Sequence, residues 1–323
     1  MLLNSILIIA GLAILIAAAE SLVRGAVSIS SKLGIPALVI GLTVVSFGTS
    51  APELTVNIAS VINGSPDLAI GNIVGSNIAN ILLILGICAL IKPLKVKSST
   101  VWKEIPLALL GVVLLLVMGN DMLIDGVSFN AITRTDGIVL MSLMAIFLYY
   151  IIGMARAEKK DDRQNEEDEI KEYGYFASAG MIILGLGGLI LGGQLLVTAA
   201  VAIAKSAGLS EALIGLTVVG VGTSLPELAT SVVATRRGQI DIAIGNVVGS
   251  NIFNIFWILG LSGTVLQLPF NAAASTDVLV AVGATALLFL LMFVGKKHQL
   301  TKHEGIVFLT LYVGYIGFLV NRG

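Results

Sequence analysis

Two glutamates stand where a carboxylate is expensive. Glu53 and Glu227 each lie inside a long apolar stretch, in Thr49-Ser50-Ala51-Pro52-Glu53 and Thr223-Ser224-Leu225-Pro226-Glu227. Ionisable groups at membrane depth are rare and mark ion or proton pathways. The prolines add a second effect. Each removes the donor that would bond the carbonyl four residues back, at Gly48 and Gly222, and kinks the helix. Freed carbonyls inside a bilayer must be satisfied by something else, and a bound cation would do so. Thr49, Ser50, Thr223 and Ser224 lie one turn from the glutamates on a shared helix face. A second polar set follows each glutamate: Asn72, Ser76 and Asn80 at i, i+4 and i+8, and again Asn246, Ser250 and Asn254. Gly71, Gly75, Gly245 and Gly249 thin the neighbouring surface so that another helix can come close. Neutral oxygens with two carboxylates, and neither His nor Cys among them, form a hard-ligand set suited to Ca2+ or Na+ rather than zinc or copper. Any single Ser, Thr or Asn reads equally well as glue between membrane helices. The symmetric glutamate pair does not.

These elements are two copies of one stretch. Gly41–Gly86 and Gly215–Gly260 align without a gap at an offset of 174 (215 − 41), with 27 of 46 positions identical. Identity concentrates in GTS-x-PEL and GN-x-VGSNI-x-NI, whereas the sequence between the two blocks drifts.

Of the 323 residues, 56% are hydrophobic and only 12% charged. Soluble domains carry about 25% charge, so the composition predicts a membrane protein. The net charge of −1 gives no basic surface for nucleic acid. Ten apolar stretches reach the roughly 20 residues a bilayer requires: 3–23, 36–62, 68–91, 103–120, 135–155, 176–204, 211–235, 241–267, 276–295 and 304–321. The first lacks a basic leader and a cleavage site and is expected to stay as a helix. A charged segment, 158–174, separates a first five-helix half (1–157) from a second (175–323) and is expected to be solvated. If the spans alternate, 16 of the 19 Lys and Arg fall on one face and Arg134, Lys205 and Arg322 on the other. The positive-inside rule then places both termini outside and the linker in the cytoplasm. Five spans per half invert the second half, giving an all-α integral membrane protein of ten transmembrane helices as two inverted five-helix repeats. That architecture is characteristic of secondary transporters with a site at the repeat interface.

The remaining polar residues invite plainer readings. Glu20 is expected to reach the membrane interface in a structural role. Asp67 and Asp241 open the third and eighth spans as helix caps, while Asp121, Asp125, Asp136 and Asp277 are expected to be solvated at the outer face. Cys88, the single cysteine, is an apolar filler. His298 and His303, in a basic loop, receive no role. There is no G-x-x-x-x-G-K-[ST] loop for ATP, and the spans hold neither an H-E-x-x-H pair nor paired aspartates for an intramembrane protease.

At GTS-x-PE and GN-x-x-GS-x-x-x-N, each present twice, the chain resembles the cation/calcium exchanger superfamily, and within it the prokaryotic sodium/calcium exchangers. The resemblance implies a non-enzymatic antiporter of the inner or plasma membrane, with Ca2+ and Na+ as substrates and without cofactor or obligatory protein partner. It implies Glu53 and Glu227 as central ligands shared by the competing ions. Thr49, Ser50, Thr223 and Ser224 would supply hydroxyls or carbonyls, Ser76 and Ser250 would complete flanking Na+ sites, and Asn80 and Asn254 would sit at the waist. Backbone carbonyls near Ser46 and Gly220 would join them. Potassium-dependent relatives carry Asp where this chain has Asn254, so the expected central charge here is two rather than three. An H+/Ca2+ antiporter using the same glutamates, and a cation channel lined by the same polar stripes, are the alternatives.

Overall fold

The computed structural model describes residues 2–157, 173–206 and 220–322. Helix α1 (Leu2–Leu33) is followed by α2 (Ala37–Thr49) and α3 (Ala51–Ile62), which meet at a 43° bend. Next come α4 (Asp67–Ile91), α5 (Ser98–Met118), α6 (Arg134–Arg156) and α7 (Tyr175–Ser206). A turn at Gly220–Gly222 leads into α8 (Leu225–Arg236), followed by α9 (Ile240–Val265), α10 (Ala272–Leu291) and α11 (Lys302–Arg322). Among the described residues eight helices are long and apolar enough to cross a membrane, and the bent α2–α3 pair passes the same test only when its two helices are taken together. The expected seventh span is described only from Gly220 onward, and 158–172 of the expected linker lie outside the described residues.

The chain is a multi-pass membrane protein, and burial sorts its helices. In α4 and α9, 78% and 94% of the most apolar stretch is inside the protein, against 22–39% in the other six. The two helices that carry the Asn-Ser-Asn sets are therefore the centre, and the rest present apolar faces outward. Two short antiparallel ladders tie the halves together. β1 (Leu94–Lys95), three residues after α4, pairs with β4 (Gln299–Leu300) ahead of α11. β3 (Leu268–Pro269), three residues after α9, pairs with β2 (Ala131–Ile132) ahead of α6. Each half lends the same pair of strands to the other, as two-fold relatives do.

Of the boundaries that differ from expectation, two do so because hydropathy does not see caps. Helix α1 continues ten residues past 23 to Leu33, where Gly34 turns left-handed (φ 61°) and the Gly34 and Ile35 amides bond the carbonyls of Ser31 and Ser30. The ninth span starts at Ala272, not 276, because the Asn271 side chain caps the Ala274 amide at 2.8 Å.

Helices α1 and α7 form a tight pair. A Cβ on Gly192 would lie 2.9 Å from the Gly11 carbonyl, and one on Gly11 equally close to the Gly192 carbonyl. Gly185 is as closely fitted to the backbone of Leu22. Hydroxyls fasten the same seam: Ser21 donates to the Met181 carbonyl (2.9 Å) and Ser178 to Ser28 (2.8 Å).

Candidate ion-binding site

Each broken helix brings its hydroxyls to the site at the break. Ser50 and Ser224 have nearly the same non-helical backbone (φ −83°, ψ 8° and φ −85°, ψ 6°), and the prolines sit in the first turn of the helices that restart, where a missing N–H costs nothing. Glu53 and Glu227 follow in that turn. Ser46, Thr49, Ser50, Glu53, Ser76, Asn80, Ser224, Glu227, Ser250 and Asn254 are all at most 3% exposed, and Thr223 is 7%. Gly220 opens the turn ahead of the second break.

The bonds cross between the copies. Ser50 donates to Glu227 Oε1 at 2.9 Å, and Ser224 to Glu53 Oε1 at 3.3 Å. Ser76 donates to Glu53 Oε1 at 3.3 Å and Ser250 to Glu227 Oε1 at 3.4 Å. Thr49 donates to Asn246 Oδ1 at 3.0 Å, and Thr223 to Asn72 Oδ1 at 3.1 Å. Shifting both numbers of a pair by 174, up or down, yields its counterpart, so the arrangement has the contact pattern of a two-fold axis between α4 and α9. The Ser46 carbonyl accepts from the Ser50 amide (3.0 Å), from Thr49 Oγ1 (3.3 Å) and from Ser250 Oγ (3.5 Å).

Each glutamate keeps one bare oxygen. Glu53 Oε2 and Glu227 Oε2 are buried without a hydrogen-bond partner, and so are Asn80 Oδ1 and Asn254 Oδ1. Buried acceptors are almost always paired, and buried charge without compensation is far costlier. The four bare oxygens, two of them carboxylate, fall into two pairs related by the 174-residue offset. Among the described residues no three His, Cys, Asp or Glu side chains gather as a metal cluster. The donor set is carboxylate, amide and hydroxyl oxygen, a hard-cation set.

The straight polar stripes are modified. Both helices are α-helical through Ile78 and Ile252 and then widen into π-helical turns, Ala79–Ile84 and Phe253–Leu259, that begin one residue before Asn80 and Asn254. Single π-turns inside α-helices recur at functional sites. Gly245 and Gly249 make the expected close approach: a Cβ there would meet the Leu42 amide at 2.9 Å and the Ser46 hydroxyl at 2.7 Å. Gly71 and Gly75 meet no described atom within 4 Å, and the stretch 174 residues on from Leu38–Leu42 lies outside the described residues.

Four residues beside the site were not singled out from the sequence: Asn77, Asn251, Asn57 and Ser231. The signal for the first two was present, since both lie in the shared VGSNI block. Asn57 and Ser231 had none, because the copies differ there. The expected capping roles of Asp67 and Asp241 are corrected. The residues that precede these helices, Ser65 and Gln239, make no side-chain cap, and the aspartates reach across loops instead. Asp67 accepts from Asn271 at 2.9 Å, and Asp241 pairs with Lys97 at 3.0 Å. Asp277 pairs bidentately with Arg322 rather than lying free in solvent (2.9 and 2.8 Å). Cys88 is fully buried in the core.

The sodium/calcium exchanger protein family model matches residues 3–153 and 177–321, both halves with the charged segment left out. This chain belongs to the sodium/calcium exchanger family. It is 38% identical to the putative antiporter CaxA of Alkalimonas amylolytica over 98% of both chains. It is 33% identical to sodium/calcium exchanger MaX1 of Methanosarcina acetivorans over 97% of both. Its fold matches a structure of the sodium-calcium exchanger NCX_Mj soaked with Na+ and Sr2+, with a TM-score of 0.83 and 32% identity over 98% of both chains. The exchanger is thus a membrane antiporter of this class, and its family consists of transporters rather than enzymes.

Proposed function

We propose that this exchanger trades Na+ for Ca2+ at one site centred on Glu53 and Glu227, by alternating access. The observation that carries the reading is the set of four bare buried oxygens. Two carboxylates offset one Ca2+, and Glu53 Oε2, Glu227 Oε2, Asn80 Oδ1 and Asn254 Oδ1 with nearby hydroxyls approach the roughly 6–8 oxygens that Ca2+ takes. Several Na+ can divide the same oxygens, with Ser76 and Ser250 serving flanking positions and the Ser46 and Gly220 carbonyls adding to them. One site shared by competing ions gives exchange rather than leak. The names of MaX1 and NCX_Mj favour the same pair of ions.

The frame proposed around that site is ten spans in two inverted halves, 1–157 and 175–323, in the inner or plasma membrane. Both termini face outward and the 158–174 linker is cytoplasmic. The α1–α7 pair would move as one body over the site-bearing helices. The glycines of α7 support this, because Gly185 and Gly192 face α1 and join the pair, whereas Gly193 meets Pro226 at an ordinary 3.9 Å.

The deciding experiment measures 45Ca2+ uptake into proteoliposomes loaded with Na+, compared with choline loading at matched pH and with an imposed pH gradient. Uptake that requires internal Na+ supports the reading. Uptake driven by the pH gradient alone would assign the glutamates to proton coupling, and uptake with neither gradient would make the protein a channel.

A further inference from the structure

Around the point where α4 and α9 meet, four buried carboxamides form two side-chain pairs, Asn254 with Asn77 and Asn80 with Asn251, joined through two backbone carbonyls. The Asn77 side chain donates from Nδ2 to the Asn251 backbone carbonyl at 3.2 Å, and Asn251 donates to the Asn77 carbonyl at 3.4 Å. Those bonds use carbonyls, which can only accept. They therefore fix which end of each carboxamide is which, leaving Asn77 Oδ1 and Asn251 Oδ1 as acceptors. Asn254 Nδ2 donates to Asn77 Oδ1 and Asn80 Nδ2 to Asn251 Oδ1, each at 2.9 Å. Asn77, Asn80, Asn251 and Asn254 are all at most 2% exposed, so water does not compete. The polarity set at the backbone thus passes through two amides and emerges as two bare carbonyl oxygens, Asn80 Oδ1 and Asn254 Oδ1. A flipped Asn80 would set its oxygen against Asn251 Oδ1 and leave two donor hydrogens in its place.

We propose that Asn77 and Asn251 are positioning residues: they orient Asn254 and Asn80 so that the transported cation meets carbonyl oxygen rather than an amide NH2 group. This rests on the exchange reading above. Mere helix glue would leave both ends of each carboxamide bonded. Here only the donor end of Asn80 and Asn254 is held, and the end a cation needs is free. The π-helical turns that begin at Ala79 and Phe253 separate the two roles along the helix, with the orienting residue in the α-helical part and the oriented one in the wider turn.

The test is a mutant cycle on reconstituted protein, read as the KM for Ca2+ in 45Ca2+ uptake, as Ca2+ binding by calorimetry and as Tm. Losing an outer partner of a metal ligand typically costs 10–100-fold in affinity, so Asn77→Ala should raise KM and Kd by about tenfold or more. In an Asn254→Asp background the same substitution should change KM less than about twofold, because a carboxylate presents oxygen whichever way it turns. Asn251→Ala, with Asn80→Asp, should repeat the pattern, and it supplies the cycle if Asn77→Ala does not fold. Equal losses in both backgrounds, or an unchanged KM for both alanine variants, would overturn the orienting role while leaving the exchange reading in place. A wild-type protein that neither binds nor takes up Ca2+ would overturn both.

Discussion

Asn57 and Ser231 hold the same place in the two copies, one turn beyond Glu53 and Glu227, and do different things. Ser231 accepts from Asn246 Nδ2 at 2.9 Å, and Asn246 also donates to the Glu227 carbonyl (3.3 Å). Asn57 turns away, donating to the Ala69 carbonyl at 2.9 Å and accepting from Ser262, and Asn72 Nδ2 is left without a partner. The contrast widens with distance from the glutamates. On α1, Glu20 accepts from Arg24 (2.8 Å) and from Arg237 just after α8 (2.7 Å). The positions 174 residues away, Gln194 and Asn63, are neutral and exposed and make no side-chain bond among the described residues. The hydroxyl bonds to the two carboxylates are duplicated, whereas the bonds of Asn246 to Ser231 and to the Glu227 carbonyl, and the Glu20–Arg237 contact, have no counterpart among the described residues. Under the alternating access proposed above, identical inverted halves would give the inward- and outward-open forms equal internal energy, and the unmatched contacts would then be where a preference between those forms is set.

The largest effect expected is at the duplicated layer. Glu53→Gln and Glu227→Gln should each reduce Na+-dependent 45Ca2+ uptake by about 100-fold or more, since each removes a buried carboxylate from the proposed site. Losses differing by more than about tenfold would mean that the two copies are not equal partners even here.

A middle effect is expected at the α1–α7 seam. Gly192→Val forces a side chain against the Gly11 carbonyl, and overpacking of this kind typically costs about 1–3 kcal/mol. Tm should fall by several degrees, whereas Gly187→Val on the same helix, with no described atom within 4 Å of its Cβ position, should leave it unchanged. A similar fall for both would remove the claim that the two helices are a fitted pair.

The smallest effect belongs to the unmatched brace. Glu20 and Arg237 are about a third exposed, and exposed pairs contribute at most about 1 kcal/mol, which is a factor of about 5. Glu20→Gln should change the exchange rate by up to that factor at low salt and by less at high salt, where screening shortens the reach of charge. Gln194→Ala should change nothing. An equal response from Gln194→Ala would dissolve the asymmetry.

Much of this was legible in one chain because the sequence states it twice. The doubled GTS-x-PEL and GN-x-VGSNI blocks located both glutamates, the helix breaks and the crossing hydroxyls, since polar residues kept inside apolar helices have few uses. Asn77 and Asn251 were visible in the same blocks but were not separated from their neighbours. Their role depends on a partner 174 residues away and on a π-turn, and helical periodicity encodes neither. Asn57, Ser231 and the Glu20–Arg237 pair left no pattern, being contacts between segments distant in sequence that differ between the copies.

The sequence by itself determined that the chain lives in a membrane, that it is built from two related halves, and that a hard-oxygen set surrounds two carboxylates. Composition and local spacing suffice for those properties, because burial in lipid and the cost of an unpaired charge act on each residue wherever the fold puts it. Only the tertiary structure decided that Ser50 serves Glu227 and Ser224 serves Glu53, that α1 is fitted to α7, and which end of each asparagine is left bare. Those are choices among chemically equivalent partners, and proximity alone distinguishes them.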